Sequence, residues 1–308
     1  SKQPQSVAMG NVMASSDRFR LEPLGVDSQV PRLGRGSFGV VFKGQDARTG
    51  QLVAIKLETF RAVSQSVNLK DEAAIYKKLE GGDCVPRMHF FGLLQGPNRL
   101  THKALVLDRL GYSLQYHFDR LRRFTARTVV KLGLQMMSGF QYIHEKGIIH
   151  RDIKPDNLML GTALDENQVF IIDFGLAVAY LDASTHTHLK RNTAGRIGNK
   201  LYASLNASRG GRQSPRDDME AVGYVLMHFL RGSLPWEDVP ERTWEVFLQS
   251  KMTTRLEELC EGFSNNFVKY LEYYRNMRCS RQPAYDHLRR LLDTASPQVD
   301  ARDVFDWT

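Results

Sequence analysis

The residues Ile149-His150-Arg151-Asp152-Ile153-Lys154-Pro155-Asp156-Asn157 bring three different functional groups within a few positions of one another. A carboxylate stands at Asp152, an ammonium at Lys154 and a side-chain amide at Asn157. On a tight loop this spacing can turn all three towards one point. There the carboxylate can orient an attacking hydroxyl and take its proton. The ammonium can neutralise charge on a transferring phosphoryl group, and the amide oxygen can hold a metal ion. Fixed residues in such a frame seldom arise by chance, so the stretch reads as a site for phosphoryl transfer rather than a plain connection.

A second carboxylate, Asp173, stands at the mouth of the apolar run Val169-Phe170-Ile171-Ile172 and is followed by Phe174-Gly175. An acid in that place is a metal ligand more often than a core residue. With Asn157 it makes a magnesium pair.

Upstream, Leu33-Gly34-Arg35-Gly36-Ser37-Phe38-Gly39-Val40-Val41-Phe42 carries glycines as G-x-G-x-x-G. Alone this pattern is weak. The β-branched and aromatic residues that follow it predict a strand, so Gly34, Gly36 and Gly39 belong to a hairpin and not to a strand–helix turn. Glycines there let the backbone approach phosphates closely. The next strand, Leu52-Val53-Ala54-Ile55-Lys56-Leu57, buries one lysine among apolar neighbours, which is costly unless the charge is paired. The helical stretch 69–79 offers the partner. Glu72 shares a face with Leu69, Ile75, Tyr76 and Leu79, whereas Asp71 is rotated off that stripe by about a hundred degrees. The expected pair is therefore Lys56 with Glu72.

Two further strands are predicted, 85–92 and 104–108, giving a small five-stranded antiparallel sheet with one helix. After Arg109-Leu110-Gly111 almost everything reads as helix. A hinge at 109–111 would offer backbone groups to an adenine edge, with apolar residues above and below the ring. Val41, Ala54 and Met159 are candidates for that sandwich, and Leu107, Asp108 and Leu110 for the edge. Thr125 is placed to cap a long helix with Val129, Leu132, Met136, Phe140 and Ile143 along one stripe, stopped at Gly147.

The chain has 308 residues, 42% of them hydrophobic and 25% charged, which is ordinary globular composition. No run reaches the ~18 apolar residues of a membrane helix, so no membrane is expected as a partner. The first twenty residues lack the apolar core of a secretory signal. Cys84, Cys260 and Cys279 are scattered and odd in number, which fits reduced thiols of a cytoplasmic or nuclear protein. The net charge is +8. It concentrates at 183–216, which holds no Asp or Glu but contains Lys190, Arg191, Arg196, Lys200, Arg209, Arg212 and Arg216. Such a run can gather acidic substrates. Nucleic acid is not expected, because no aromatic interleaving accompanies the charge.

With these motifs in order, residues 17–295 resemble the eukaryotic protein kinases. Within them the chain is similar to the casein kinase I family. Three features carry the narrower match: Tyr202-Ala203-Ser204-Leu205-Asn206 in place of Ala-Pro-Glu, the helix from Asp217 to Met227, and the pair Gly232-Ser233-Leu234-Pro235-Trp236 and Pro283-Ala284-Tyr285-Asp286-His287-Leu288-Arg289. The segment Asp108-Arg109-Leu110-Gly111 is also similar to the hinge of the related vaccinia-related kinases.

The resemblance implies an α+β bilobal fold: a lead-in at 1–16, an antiparallel N-lobe at 17–108, the hinge at 109–111, a mostly helical C-lobe at 112–295 and an extension at 296–308. It implies transfer of the γ-phosphoryl of ATP, with Mg2+, to serine or threonine hydroxyls of acidic proteins by a monomer. Asp152, Lys154, Lys56 and Glu72 would be catalytic. Gly34, Gly36, Gly39, Val41, Ala54, Lys56, Leu107, Asp108, Leu110, Met159 and Asp173 would bind the nucleotide. Asn157 and Asp173 would hold metal, and Asp218 would brace the catalytic loop. Lys190, Arg191, Arg196 and Lys200 would meet the substrate. One departure stands out. The family's anion-gripping arginine before Tyr-Ala-Ser is Leu201 here, which argues against a strict need for an upstream phosphate.

Overall fold

A computed structural model of the chain describes residues 18–22, 32–36, 39–58, 68–97, 100–162, 165–182, 185, 187, 189, 195–239, 243–296 and 304–308. They fall into two compact units. One is built from residues up to Glu80 together with Pro86–Leu110, the other from Gly81–Val85 together with residues from Gly111 onward.

The first unit is an antiparallel sheet with one helix. Its strands are β1 (Phe19–Leu21), β2 (Arg32–Gly36), β3 (Gly39–Asp46), β4 (Leu52–Glu58), β5 (Met88–Gln95) and β6 (Thr101–Asp108). Their order is β1-β3-β4-β6-β5, with β2 paired to β3 beyond β1. The sheet thus has six strands where the sequence pattern predicts five. The extra strand is three residues long, too short for a period-two signal. Phe19 nonetheless reaches the core, and Arg18 pairs with the buried Asp46 at 2.7 Å. The β5 strand also starts later than predicted, at Met88.

Strand alternation sorts β4 into two faces. Val53, Ile55 and Leu57 join Phe19, Phe42, Leu94, Ala104 and Val106 in a buried cluster. Ala54 and Lys56 point the other way. The helix α1 (Leu69–Lys78) packs on β5 and β6. Asn68 caps it by accepting from Asp71 N at 3.0 Å, and Leu69, Glu72, Ala73 and Tyr76 form its buried stripe.

The second unit is mostly helical. Its longest helix, α3 (Ala126–Glu145), follows α2 (Leu114–Leu121) and is capped by Thr125. Buried Val129, Leu132, Met136, Phe140 and Ile143 line it, and Gly147 ends it with φ 73°. Next come β7 (Ile148–Ile149), a 3-10 turn at Pro155–Asn157, β8 (Leu158–Leu160), β9 (Val169–Ile171) and β10 (Val178–Ala179). The short strands pair as β7 with β10 and β8 with β9. The helices α4 (Leu205–Ser208), α5 (Pro215–Arg231), α6 (Trp244–Thr253), α7 (Leu256–Leu259), α8 (Asn265–Asn276) and α9 (Tyr285–Asp293) complete it. Helix α5 is buried along almost its whole length and packs against α3 and α8.

The excursion Gly81–Val85 packs with this unit for a visible reason. Cys84 O accepts from Ile171 N at 2.8 Å, and Gly82 lies flat on the Tyr142 ring. Residues 304–308 fold back onto the start of α3. There Asp306 accepts from Thr125 N and Oγ1 at 2.6 and 2.8 Å, and Phe305 is buried.

Candidate active site

The catalytic stretch begins where β7 ends. Asp218, buried on α5, accepts from His150 N at 2.7 Å and from Arg151 N at 2.9 Å. His144 on α3 reaches the same carboxylate at 2.9 Å. Burial alone would raise the Asp218 carboxyl. The His144 hydrogen bond, the His144 and His150 rings and the His150 amide outweigh it and hold it below the usual carboxylate range. A buried anion that stays ionised can fix two consecutive amides, and here it fixes those just before Asp152. The brace implied by the resemblance is thus present in the geometry.

Arg151 adopts φ 68°, a conformation that costs a non-glycine residue about 1–3 kcal/mol. The bend turns Asp152 towards Lys154 and Asn157. Asp152 Oδ2 accepts from Lys154 Nζ at 2.7 Å and from Asn157 Nδ2 at 3.1 Å. Asn157 Nδ2 also donates to Asp152 O at 2.8 Å. The three groups expected to converge are therefore in direct contact. Both side-chain contacts fall on Oδ2. Asp152 Oδ1 makes no hydrogen bond among the described residues.

Asp173 follows β9 with φ 62°, a second left-handed non-glycine residue. Its neighbour Ile172 ties the two loops together, since Ile172 N donates to Asn157 O and Ile172 O bonds the His150 ring, both at 3.0 Å. Pro155 starts the 3-10 turn that carries Asn157. With its Nδ2 committed to Asp152, Asn157 has only Oδ1 to offer a cation.

In the first unit Lys56 Nζ lies 2.9 and 2.7 Å from the two Glu72 oxygens, and both residues are buried. Asp71 instead takes a hydrogen bond from the Asn68 side chain. Register gathers the remaining nucleotide candidates on one side. Val41 pairs with Lys56, and Ala54 with Leu107, so Val41, Ala54, Lys56 and Leu107 share the face opposite the apolar cluster. The glycines lie in the β2–β3 hairpin, with Gly34 opposite Val41 and Gly36 opposite Gly39. A Cβ at Gly39 would sit 2.3 Å from Leu57 O, so only glycine fits. Leu110 has neither its N–H nor its C=O hydrogen-bonded among the described residues, as an adenine edge requires. Asp108 is less available, since its N–H donates to Arg87 O at 3.0 Å. Its carboxylate is taken by His89 Nε2 at 2.7 Å and Arg87 N at 2.9 Å. Met159 lies half-buried in β8 of the second unit.

The acid-free stretch looks different from its sequence. Lys190 and Arg191 lie outside the described residues. Arg196 is paired with Glu245 on α6. Arg212 and Arg216 donate to the carbonyls of Leu189 and Met277. Arg196 is thus balanced by a carboxylate and Arg216 lies 3.7 Å from that of Asp217, whereas a carbonyl partner orients Arg212 without neutralising it. Helices α5 and α6 also bury polar groups against residues of this stretch. Asp217 accepts from Ser204 Oγ at 2.7 Å and Asn206 Nδ2 at 2.9 Å, Glu220 from Leu205 N at 3.0 Å, and Lys251 donates to two carbonyls. Asp217 and Glu220 lie in the helix already quoted for the resemblance, whereas Lys251 carried no sequence signal.

Residues 28–294 match the family of the protein kinase domain. The chain belongs to the protein kinase family. Among curated proteins it is similar to casein kinase I homolog 2 of Schizosaccharomyces pombe, with 39% identity over 295 residues. That alignment covers 92% of this chain and 66% of the relative, so the chain spans just under two thirds of the relative's length. The family match and the relative together support placement on the casein kinase I branch. No helix among the described residues is long and apolar enough to cross a membrane.

The residues present fit a nucleotide-borne magnesium ion. No group of three or more His, Cys, Asp or Glu among the described residues forms a cage of its own. Magnesium in phosphoryl-transfer sites usually takes one or two protein oxygens and completes its shell with phosphates and water. Asn157 Oδ1 and the Asp173 carboxylate supply that number, on loops joined by the Ile172–Asn157 hydrogen bond.

Proposed function

We propose that this chain is an active serine/threonine protein kinase of the casein kinase I type, transferring the γ-phosphoryl of ATP to hydroxyls of acidic proteins. The carrying observation is Asp152. It is buried, it is bent into place by a left-handed Arg151, and both of its side-chain hydrogen bonds fall on one oxygen. The other oxygen is left to accept a hydrogen bond from an incoming hydroxyl and then its proton. Lys154, 2.7 Å from Asp152, places a positive charge beside the attacking hydroxyl, where negative charge moves during transfer. Lys56, aimed by Glu72, would hold the α- and β-phosphates. The glycines of the β2–β3 hairpin would let its backbone come close to them. Bound magnesium would supply charge neutralisation between the phosphates, held by Asn157 and Asp173.

Little covalent chemistry is asked of the protein, so positioning and electrostatics carry the rate. We further propose that the protein works as a monomer in the cytoplasm or nucleus. Three unpaired cysteines support a reducing compartment. Burial pushes the thiols of Cys84 and Cys260 up to about 11 and about 12, so neither is reactive. The test is a peptide-array assay with labelled ATP and magnesium. Phosphate should appear on serine or threonine peptides with acidic flanks. Magnesium-dependent ATP binding with no transfer to any peptide or protein would leave a nucleotide-binding scaffold instead.

A further inference from the structure

Lys251 is fully buried on α6, and no carboxylate takes its charge directly. Its Nζ donates to Lys200 O at 2.7 Å and to Ala203 O at 2.6 Å. The rings of Tyr224 and Trp236 flank the ammonium, with centroids 5.3 and 5.5 Å away. Trp236 Nε1 in turn donates to Leu201 O at 2.8 Å. Three carbonyls of the turn at 199–203 are thus drawn towards the core by two side chains. The turn is closed by Ala203 N donating to Asn199 O at 2.8 Å and Leu201 N to Asn199 Oδ1 at 2.9 Å. Just before it, Gly198 adopts φ 92° and comes so near the catalytic loop that a Cβ would sit 2.1 Å from Arg151 O. No side chain can enter there, and the turn is seated directly against the residue preceding Asp152.

A buried ammonium is a costly way to hold a turn. Burial pulls its pKa down to about 7, and Arg275 adds to that, while Glu220 pulls the other way. The two short carbonyl contacts also favour the charged form. Apolar packing alone would not fix two carbonyls in direction, whereas an ammonium with three donors does.

We propose that Lys251 is a positioning residue for the acceptor: it sets the turn at 199–203 as the platform on which the peptide bearing the hydroxyl lies beside Asp152. This rests on the kinase reading above. It assigns to Lys251 the acceptor step and not the nucleotide step.

The experiment compares wild type with Lys251→Met in steady-state kinetics, using a serine peptide flanked by aspartates, and in hydrogen exchange. The expected result is a rise of about tenfold in the KM for peptide, with kcat at saturating peptide within about threefold and nucleotide affinity unchanged. The amides of Leu201, Ala203 and Leu205 should lose protection by a similar factor while those of α8 keep theirs. An unchanged peptide KM overturns the proposal. So does a uniform fall in kcat, nucleotide affinity and exchange protection, which would mark Lys251 as ordinary core. Should Lys251→Met fail to fold, Lys251→Gln, which keeps an amide donor, goes through the same assays. Failure of both to fold also makes Lys251 a core residue and ends the proposal. A wild-type protein that phosphorylates no acceptor would sink the kinase reading separately. The exchange comparison would then still decide whether Lys251 holds the turn.

Discussion

Among the described residues two lysines are buried, one in each unit, and they are held in opposite ways. Lys56 in β4 is 6% exposed and meets both oxygens of Glu72. Lys251 in α6 is 0% exposed and meets two backbone carbonyls. In the first corner an amine meets both oxygens of a carboxyl group, so the pair can be presented as a unit to a polyanion. In the second the lysine spends its donors on the fold and presents nothing outward. A buried cation with a carboxylate partner reads as chemistry, whereas one spent on carbonyls reads as scaffolding for chemistry. Asp218 repeats the second pattern with the sign reversed, an anion spent on the amides of His150 and Arg151.

The largest effect should belong to neither lysine but to the carboxylate they serve. Asp152→Asn removes the proton acceptor while keeping the shape. Turnover should fall by about 10²–10⁴-fold, the usual worth of a general base, with ATP affinity nearly unchanged. Single-turnover transfer and nucleotide titration check this. A variant keeping more than a tenth of wild-type turnover would remove Asp152 from the role.

Next is the Lys56 corner itself. Lys56→Met should lose activity about 100-fold or more through misplaced phosphates, and ATP affinity should fall with it. It should also destabilise the protein by about 3–5 kcal/mol, because Glu72 is left charged and buried. The double variant Lys56→Met with Glu72→Leu should regain most of that stability in urea unfolding and none of the activity. If stability and activity return together, the pair is scaffolding and the contrast with Lys251 collapses.

The contrast also explains what could be read from the sequence. Lys56 and Glu72 were legible because each sits in a periodic element, a strand of period two and a helical stripe, so burial could be inferred for both before any contact was known. Asp152, Lys154 and Asn157 were legible because they are close in sequence and act on one another. Lys251 was not legible. Its carbonyl partners lie 51 and 48 residues earlier and carry no side-chain signature. The same reason hid β1, whose three residues are placed by Phe19 in the core and by the Arg18–Asp46 pair. It hid the attachment of Gly81–Val85 to the second unit, made by the Cys84 carbonyl and thiol and by a glycine against a ring. At the basic run 183–216 the structure adds what composition leaves out. Composition counts charges but not the partners that Arg196 and Arg216 find at Glu245 and Met277, or the Leu189 carbonyl that Arg212 finds within the run itself.

Under the turn held by Lys251 lies Asp217, which gives a smaller and pH-dependent effect. Burial pushes its carboxyl up to about 6, against the hydrogen bonds from Ser204, Asn206 and Ser214 and the charge of Arg216. A carboxyl raised in the folded state binds a proton more tightly there than in the unfolded chain. Its contribution to stability is therefore fully present below about pH 4 and is lost as pH rises through about 6. A shift of that size corresponds to roughly 3 kcal/mol. Asp217→Asn, which keeps the shape without the titration, should remove this slope. Unfolding free energies of the two proteins between pH 4 and pH 7 should therefore diverge, the wild type losing ground as pH rises. Parallel curves would show that Asp217 is ionised at little cost, and that the platform is stiffer than its burial suggests.

The smallest effect concerns charges that stay outside. Lys200 lies on the turn that Lys251 holds, Arg196 is paired with Glu245, and Leu201 stands where the resemblance places an arginine. A site built from such groups has no enclosed grip for a phosphate, which needs several donors converging on one oxygen set. It should still draw acidic peptides through the net charge of +8, by long-range attraction and not by contact. Attraction of that kind fades as ions screen charges more than about 8–10 Å apart at physiological ionic strength. Matched peptides with phosphoserine, aspartate or alanine upstream of the target serine should therefore differ only a few-fold in kcat/KM at low salt, and less at moderate salt. Glu245→Gln should widen the difference modestly by releasing Arg196. A large advantage for phosphoserine that survives moderate salt would mean that a formed anion pocket exists despite Leu201. The turn would then be a binding site in its own right and not merely the platform that Lys251 sets.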